Sequence, residues 1–254
     1  MIVLLSPSKT MEMPDNRLLP TSLPPFRKET EYLVSLLRSM NPQKLAGLME
    51  ISPKLAELNA ARYAQWEWPG TVDSAAQAVL AFKGDVYEGL DAGSLTDAEL
   101  VFAQQHLRIL SGLYGILRPL DLILPYRLEM GLKWQVGKTK DLYDYWDNKI
   151  HDAIRSDLAR YPDPTLVNLA SQEYYKAIRP SSLKTKIITP SFLERKGSNY
   201  KMVSFFAKKA RGLMARFIIR HGITQPSYIK GFEMDGYVYN AAMSNEDQWV
   251  FTRG

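Results

Sequence analysis

The chain has 254 residues, 46% of them apolar and 23% charged, with a formal net charge of +5. That apolar content excludes general disorder, and the length suffices for a single domain with a substantial core. Cysteine is absent, which excludes disulfides, thiolate metal sites, iron–sulfur clusters and a cysteine nucleophile.

The three histidines, His106, His151 and His221, are too far apart in sequence to form an i, i+4 metal pair, so neither a metal site nor a cofactor is expected. No run of 18 apolar residues exists, and the N-terminal stretch MIVLLSPSKT lacks the basic region of a signal peptide. The expectation is a cytoplasmic protein without a membrane segment.

In chain order, Ile2 to Leu5 reads as a short buried strand closed by Ser6-Pro7-Ser8. Four prolines between residues 11 and 25 predict an irregular loop. Apolar spacing predicts a helix over residues 30–40. Two short helices follow around Glu50-Ile51-Ser52-Pro53, with Asn41 and Ser52 as N-caps and Pro42 and Pro53 in first helical positions. This is a helix–hairpin–helix pattern at about 42–66. A further helix is predicted from Thr71 or Ser74 to Leu80, and the capping box Thr96–Glu99 opens one that runs towards Gly112.

Leu142 to Tyr161 reads as one helix, and Thr165 to Ala170 as a buried strand. Thr185–Ile188 and Lys201–Phe206 read as strands around a Gly197-Ser198-Asn199 turn. Ala207 to Arg220 is a strong helix ended by Gly222, with closing strands at 236–239 and 248–252. The prediction is one mixed α/β (α+β) domain over residues 1–254. Its few, short, irregularly spaced strands speak against a regular doubly wound sheet.

Charge is distributed unevenly. Residues 195–232 hold nine Lys or Arg and no Asp or Glu, a pattern that attracts polyanions. On a helical projection Lys208, Arg211 and Ala215 share one side, while Lys209 and Arg216 share another. Phosphate binding is one use of these cations, and a solvated cationic face is the other. The helix–hairpin–helix is open in the same way. Such hairpins can offer backbone N–H groups to phosphates, but this turn has no glycine, so an ordinary packed helical pair fits equally.

Three loop-borne clusters could carry chemistry. Ser6 and Lys9 follow the first strand, Lys83 and Asp85 flank Gly84, and Arg108, Arg118, Arg127 and Glu129 lie in a polar stretch rich in glycine and proline. These eight residues are predicted to form a pocket, with Lys9, Lys83 and Glu129 as catalytic candidates. The alternative for the last group is structural ion pairing, Arg118 with Asp121 and Arg127 with Glu129. Ser171 and Glu173, just after the strand at 165–170, admit either a catalytic or a capping role.

The motifs LLSPSKT (4–10), ISPKLAELNAARY (51–63), AFKGDVYEGL (81–90), FAQQHLRILSGLYGILRPLDLILPYRLEMG (102–131), NLASQEYYK (168–176) and SFFAKKARGLMARFII (204–219) resemble the bacterial peroxide-stress protein YaaA family over nearly the whole chain. The resemblance implies a family-specific mixed α/β fold with a basic cleft and a helix–hairpin–helix on residues 44–63. It also implies a cytosolic DNA-binding protein of the hydrogen peroxide response, associated with DNA protection or repair and with limiting unincorporated iron. Lys208, Lys209, Arg211, Arg216, Lys54 and Arg62 are the DNA-binding candidates. A DNA- or nucleotide-processing enzyme using the polar pocket is the alternative.

Overall fold

The computed structural model describes residues 1–15, 19–68 and 75–254. At its centre five parallel strands lie in the order β3 (Leu107–Ser111), β1 (Ile2–Leu5), β6 (Thr165–Asn168), β7 (Lys186–Lys196) and β10 (Gln248–Arg253). Antiparallel strands flank this block: β4 (Gly115–Leu117) on β3, β9 (Val238–Tyr239) on β10, and β8 (Asn199–Lys201) on β7. A separate two-stranded pair joins β2 (Ala76–Gln77) to β5 (Leu122–Ile123). Every residue of β1, β3 and β6 is buried, as expected of parallel strands covered on both faces.

The helices are α1 (Arg27–Arg38), α2 (Pro42–Met49), α3 (Pro53–Gln65), α4 (Ala78–Ala81), α5 (Asp85–Leu90), α6 (Asp97–His106), α7 (Leu142–Trp146), α8 (Lys149–Leu158), α9 (Gln172–Tyr175) and α10 (Ser204–Arg220). The predicted caps are present. Asn41, Ser52 and Thr96 accept from backbone N–H groups three residues on, and Glu99 completes the Thr96 capping box. Gly222 follows α10 with φ +57°, the left-handed conformation that ends helices.

Mixed α and β structure is as expected, with four differences in detail. The sheet is larger and more regular than strand spacing suggests. The helix over 96–112 stops at His106, and residues 107–111 form β3. Their apolar positions suit either element, and pairing with β1 decides. Residues 201–206 are not one strand, because α10 already begins at Ser204. The single helix over 142–161 breaks at Asp147, whose φ is +43°. The helix predicted to start at Thr71 or Ser74 has its start outside the described residues.

Two glycines fix α10 against α5. A Cβ on Gly212 would lie 1.8 Å from the Val86 carbonyl oxygen, and one on Gly89 would lie 2.2 Å from that of Lys209. The helices therefore touch backbone to backbone.

Candidate functional site

The chain leaves β1 for β3 on one side of the sheet, then returns across it to β6 and continues outward to β7. Crossovers thus run in opposite directions from β1 and β6. In open α/β sheets a crevice opens beyond the carboxyl ends of the strands at such a reversal. Here it is a cavity of about 380 Å³, floored by Ser6 after β1 and by Leu169 and Ser171 after β6.

Ser6 links the two strand ends. Its Oγ accepts from the Ser171 N–H at 2.8 Å and donates to Ser171 Oγ at 3.2 Å, while its carbonyl accepts from the Tyr87 hydroxyl at 2.9 Å. Beyond Ser6 the chain runs alongside residues 81–83. The Glu12 N–H donates to the Ala81 carbonyl, and the Lys83 N–H donates to that of Thr10. This pairing carries Lys83, Gly84 and Asp85 to the cavity wall beside Lys9. Gly84 has φ +95°, which suits glycine at the turn into α5.

Residues 126–129 form the opposite wall. Glu129 is nine-tenths buried. Its Oε1 accepts from Arg127 Nη2 at 2.9 Å and lies 3.3 Å from Lys9 Nζ. Glu129 Oε2 and Arg127 Nε are buried without hydrogen-bond partners among the described residues. From behind, the Tyr63 hydroxyl of α3 donates to the Arg127 carbonyl at 2.5 Å.

The last wall is α10, whose Lys208 and Arg211 line the cavity. No carboxylate pairs with either among the described residues. Burial lowers the Arg211 pKa from its usual value, yet a guanidinium stays charged at neutral pH. The lining thus combines five cations (Lys9, Lys83, Arg127, Lys208, Arg211) with three carboxylates (Asp85, Glu129, Glu173). Lys83 lies 3.5 Å from the exposed carboxylate of Glu12, a pair that water weakens. Glu173 Oε1 accepts from the Gly131 N–H at 2.9 Å.

Six of the eight predicted pocket residues therefore share one cavity: Ser6, Lys9, Lys83, Asp85, Arg127 and Glu129. Arg108 and Arg118 are the corrections. Arg108 is an even-numbered residue of β3 and points away from the face on which Ser111 meets the Tyr126 hydroxyl at 2.7 Å. Its Nε donates to Asp157 Oδ2 at 2.6 Å, and Arg118 and Arg160 each lie 3.5 Å from Asp157 Oδ1. This is an ion cluster against α8. Asp121, expected to pair with the Arg118 side chain, instead accepts from the Arg118 N–H and the Ser22 hydroxyl.

Among the DNA-binding candidates, Lys208 and Arg211 line the cavity and Lys209 does not. Arg216 is committed elsewhere. Its Nη1 donates to the carbonyls of Leu90 and Asp91 at 3.0 and 2.8 Å, which neutralises the open carbonyls that end α5. Lys54 is exposed on α3 and Arg62 lies 3.5 Å from Asn59 Oδ1, and neither lines the cavity. Lys9 is 65% exposed and paired with Glu129, which is not the desolvated setting that activates an amine nucleophile.

The sequence reasoning missed Tyr87, Tyr126 and Tyr174 as walls of the cavity. The signal was present, since each sits in the same short motif as a charged wall residue. Burial raises the pKa of all three, so they are neutral phenols at physiological pH. Among the described residues no histidine lines the cavity, no three His, Asp or Glu are grouped to hold a metal ion, and no helix is long and apolar enough to cross a membrane.

A parallel-centred sheet with a crevice at its point of reversal, lined by both cations and carboxylates, defines an α/β protein with its candidate site at the carboxyl ends of the strands. A family model described as "Peroxide stress protein YaaA" matches residues 1–243. A UPF0246 protein of Ralstonia nicotianae is 50% identical over 254 residues, covering 100% of this chain and 99% of its own. A UPF0246 protein of Cellvibrio japonicus is 48% identical over 256 residues, covering 100% of this chain and 98% of its own. The chain belongs to the YaaA family of peroxide stress proteins.

Proposed function

We propose that the chain binds DNA through this cleft, largely without regard to sequence, as a cytoplasmic protein of the hydrogen peroxide response. In that response it would protect DNA or aid its repair and help limit unincorporated iron. One observation carries the reading. Lys208 and Arg211 reach the cavity from α10 without a carboxylate partner among the described residues, and they meet Lys9 and Lys83 there. Cations left uncompensated in a concave site favour phosphates. The paired helices α2 and α3 are a second phosphate-contacting candidate, with α3 joined to the cleft wall through Tyr63 and Arg127.

Fluorescence anisotropy of a labelled duplex, titrated at several salt concentrations, tests the reading. Affinity should fall with salt at a log–log slope of roughly −0.9 per phosphate engaged, with little difference between sequences. No binding at low salt overturns it.

A second reading, an enzyme that processes DNA or nucleotides, is favoured by the unpartnered oxygen of Glu129. A buried carboxylate with a free lone pair can accept a proton from water or substrate. Loss of a DNA- or nucleotide-derived product on Glu129→Gln would support it, and no product from the unmodified protein would refute it.

A further inference from the structure

We infer that the cavity holds a single nucleobase of a bound nucleotide, its polar edge on Glu129 and Arg127 and its phosphate towards Lys208 and Arg211. This rests on the DNA reading for the phosphate end and adds a subsite to it.

The first observation is a pair of orphans on two ion-paired side chains that line the cavity. Glu129 Oε1 takes both Arg127 and Lys9, while Glu129 Oε2 and Arg127 Nε take nothing among the described residues. One is an acceptor and the other a donor. Leaving both buried and unpaired costs free energy that a matching ligand would recover. Nucleobase edges set an N–H beside a carbonyl or ring-nitrogen acceptor, which is the required complement.

The second observation is the surrounding wall. The hydroxyls of Tyr87 and Tyr126 are already engaged, by the Ser6 carbonyl and by Ser111 Oγ. With those hydroxyls engaged, the two residues add apolar wall to the cavity, which suits a base irrespective of its identity. The third is charge. Asp85, Glu129 and Glu173 line the same cavity, and Lys9 and Arg127 are engaged by Glu129. Beside the cations of α10 the cavity therefore also offers carboxylate acceptors to a neutral group bearing an N–H. The volume of about 380 Å³ falls within the range of small-molecule sites.

The nucleotide could be free or displaced from a DNA strand, and the test separates the two. Calorimetry compares dGMP and dAMP with deoxyribose 5-phosphate, which lacks the base. Anisotropy compares a duplex carrying one bulged nucleotide with the same duplex carrying a bulged abasic site. The nucleotides should bind at least tenfold tighter than the sugar phosphate. A tenfold preference for the bulged base identifies a displaced nucleotide as the ligand, and equal affinity for the two bulges beside selective dGMP binding identifies a free one. Glu129→Gln should bring these ratios close to one.

Equal binding of dGMP, dAMP and deoxyribose 5-phosphate together with equal binding of both bulges overturns the inference, and this comparison needs only the unmodified protein. Retained duplex binding with no base effect defeats the subsite alone. Selective dGMP binding without duplex binding defeats the DNA reading and leaves the subsite standing.

Discussion

Gly89 on α5 and Gly212 on α10 meet without side chains between them, and this contact sets where the cations of α10 stand. A Cβ on Gly212 would sit 1.8 Å from the Val86 carbonyl oxygen, a backbone atom that cannot rotate away. Gly212→Ala must therefore push the helices apart. The expected cost is about 3 kcal/mol, a fall in melting temperature of roughly 6–12 °C. Lys208 and Arg211 would move away from Lys83 and Asp85, so DNA affinity should fall in the fraction that stays folded. Calorimetric melting and anisotropy check both.

Lys208→Glu combined with Arg211→Glu should weaken duplex binding at least tenfold, about 1.4 kcal/mol, with little change in stability. Each reversal removes a phosphate contact and adds repulsion, so the salt slope should drop by about 2. The same reversal at Arg216 gives the opposite profile. It breaks the cap on the α5 carbonyls and should lower stability more than phosphate affinity. If Lys208→Glu with Arg211→Glu leaves affinity unchanged in a folded protein, α10 is not the binding surface.

The contrast between Arg211 and Arg216 shows how far the sequence carries. Helical projection separated Lys208 and Arg211 from Lys209 and Arg216, and the structure keeps that division: the first pair lines the cavity and the second does not. That Arg216 has a partner could not be read locally, because Leu90 and Asp91 lie 126 and 125 residues away. The pocket residues at strand ends and glycine breaks were legible for the same local reason, since loops are where distant segments meet. Arg108 was misplaced because residues 107–111 carry an apolar pattern that suits a helix or a strand. Taking them as helix hides the parity that turns Arg108 from the cavity. The extent of the sheet was missed because β7 runs on through Pro190 to Lys196, beyond the strand read at 185–188, and its pairing with β10 joins segments far apart in sequence.

Stability should decline in mild acid through His106. Its ring is buried against Phe102 and Tyr161 at centroid distances of 4.2 and 5.3 Å, and Nδ1–H donates to the Met1 carbonyl at 2.9 Å. Burial lowers its pKa, and neighbouring positive charge, including Arg108, acts in the same direction. The unfolded chain therefore takes up this proton at a higher pH than the folded one. The stabilisation is complete above the ordinary histidine value of about 6.5 and is lost as pH falls from there towards the lowered folded value. Melting temperatures measured from pH 7 downward should fall across that window, and His106→Gln should flatten the fall. An unchanged slope in the variant would assign the acid sensitivity to other groups.

Arg108 and the cleft should behave as independent parts of the molecule. Arg108 is buried on β3, and its guanidinium is held by Asp157, Gln104 and Leu107. Arg108→Met keeps the apolar bulk and removes the charge, which leaves Asp157 buried with only Arg118 and Arg160 at 3.5 Å. Breaking a buried ion pair from one side is costly because the remaining charge loses its compensation. Since two arginines stay close, about 3 kcal/mol is expected, the low end of the usual range. Replacing the partner as well, Arg108→Met with Asp157→Leu, should recover much of that loss, since no orphaned charge remains. Neither variant removes a cavity-lining residue, so duplex affinity and its salt slope should match those of the unmodified protein at temperatures where all three are folded. Denaturant titration gives the stability and anisotropy gives the affinity. A loss of DNA binding in folded Arg108→Met, at a site that faces α8 rather than the crevice, would show that the Asp157 cluster belongs to the binding surface after all.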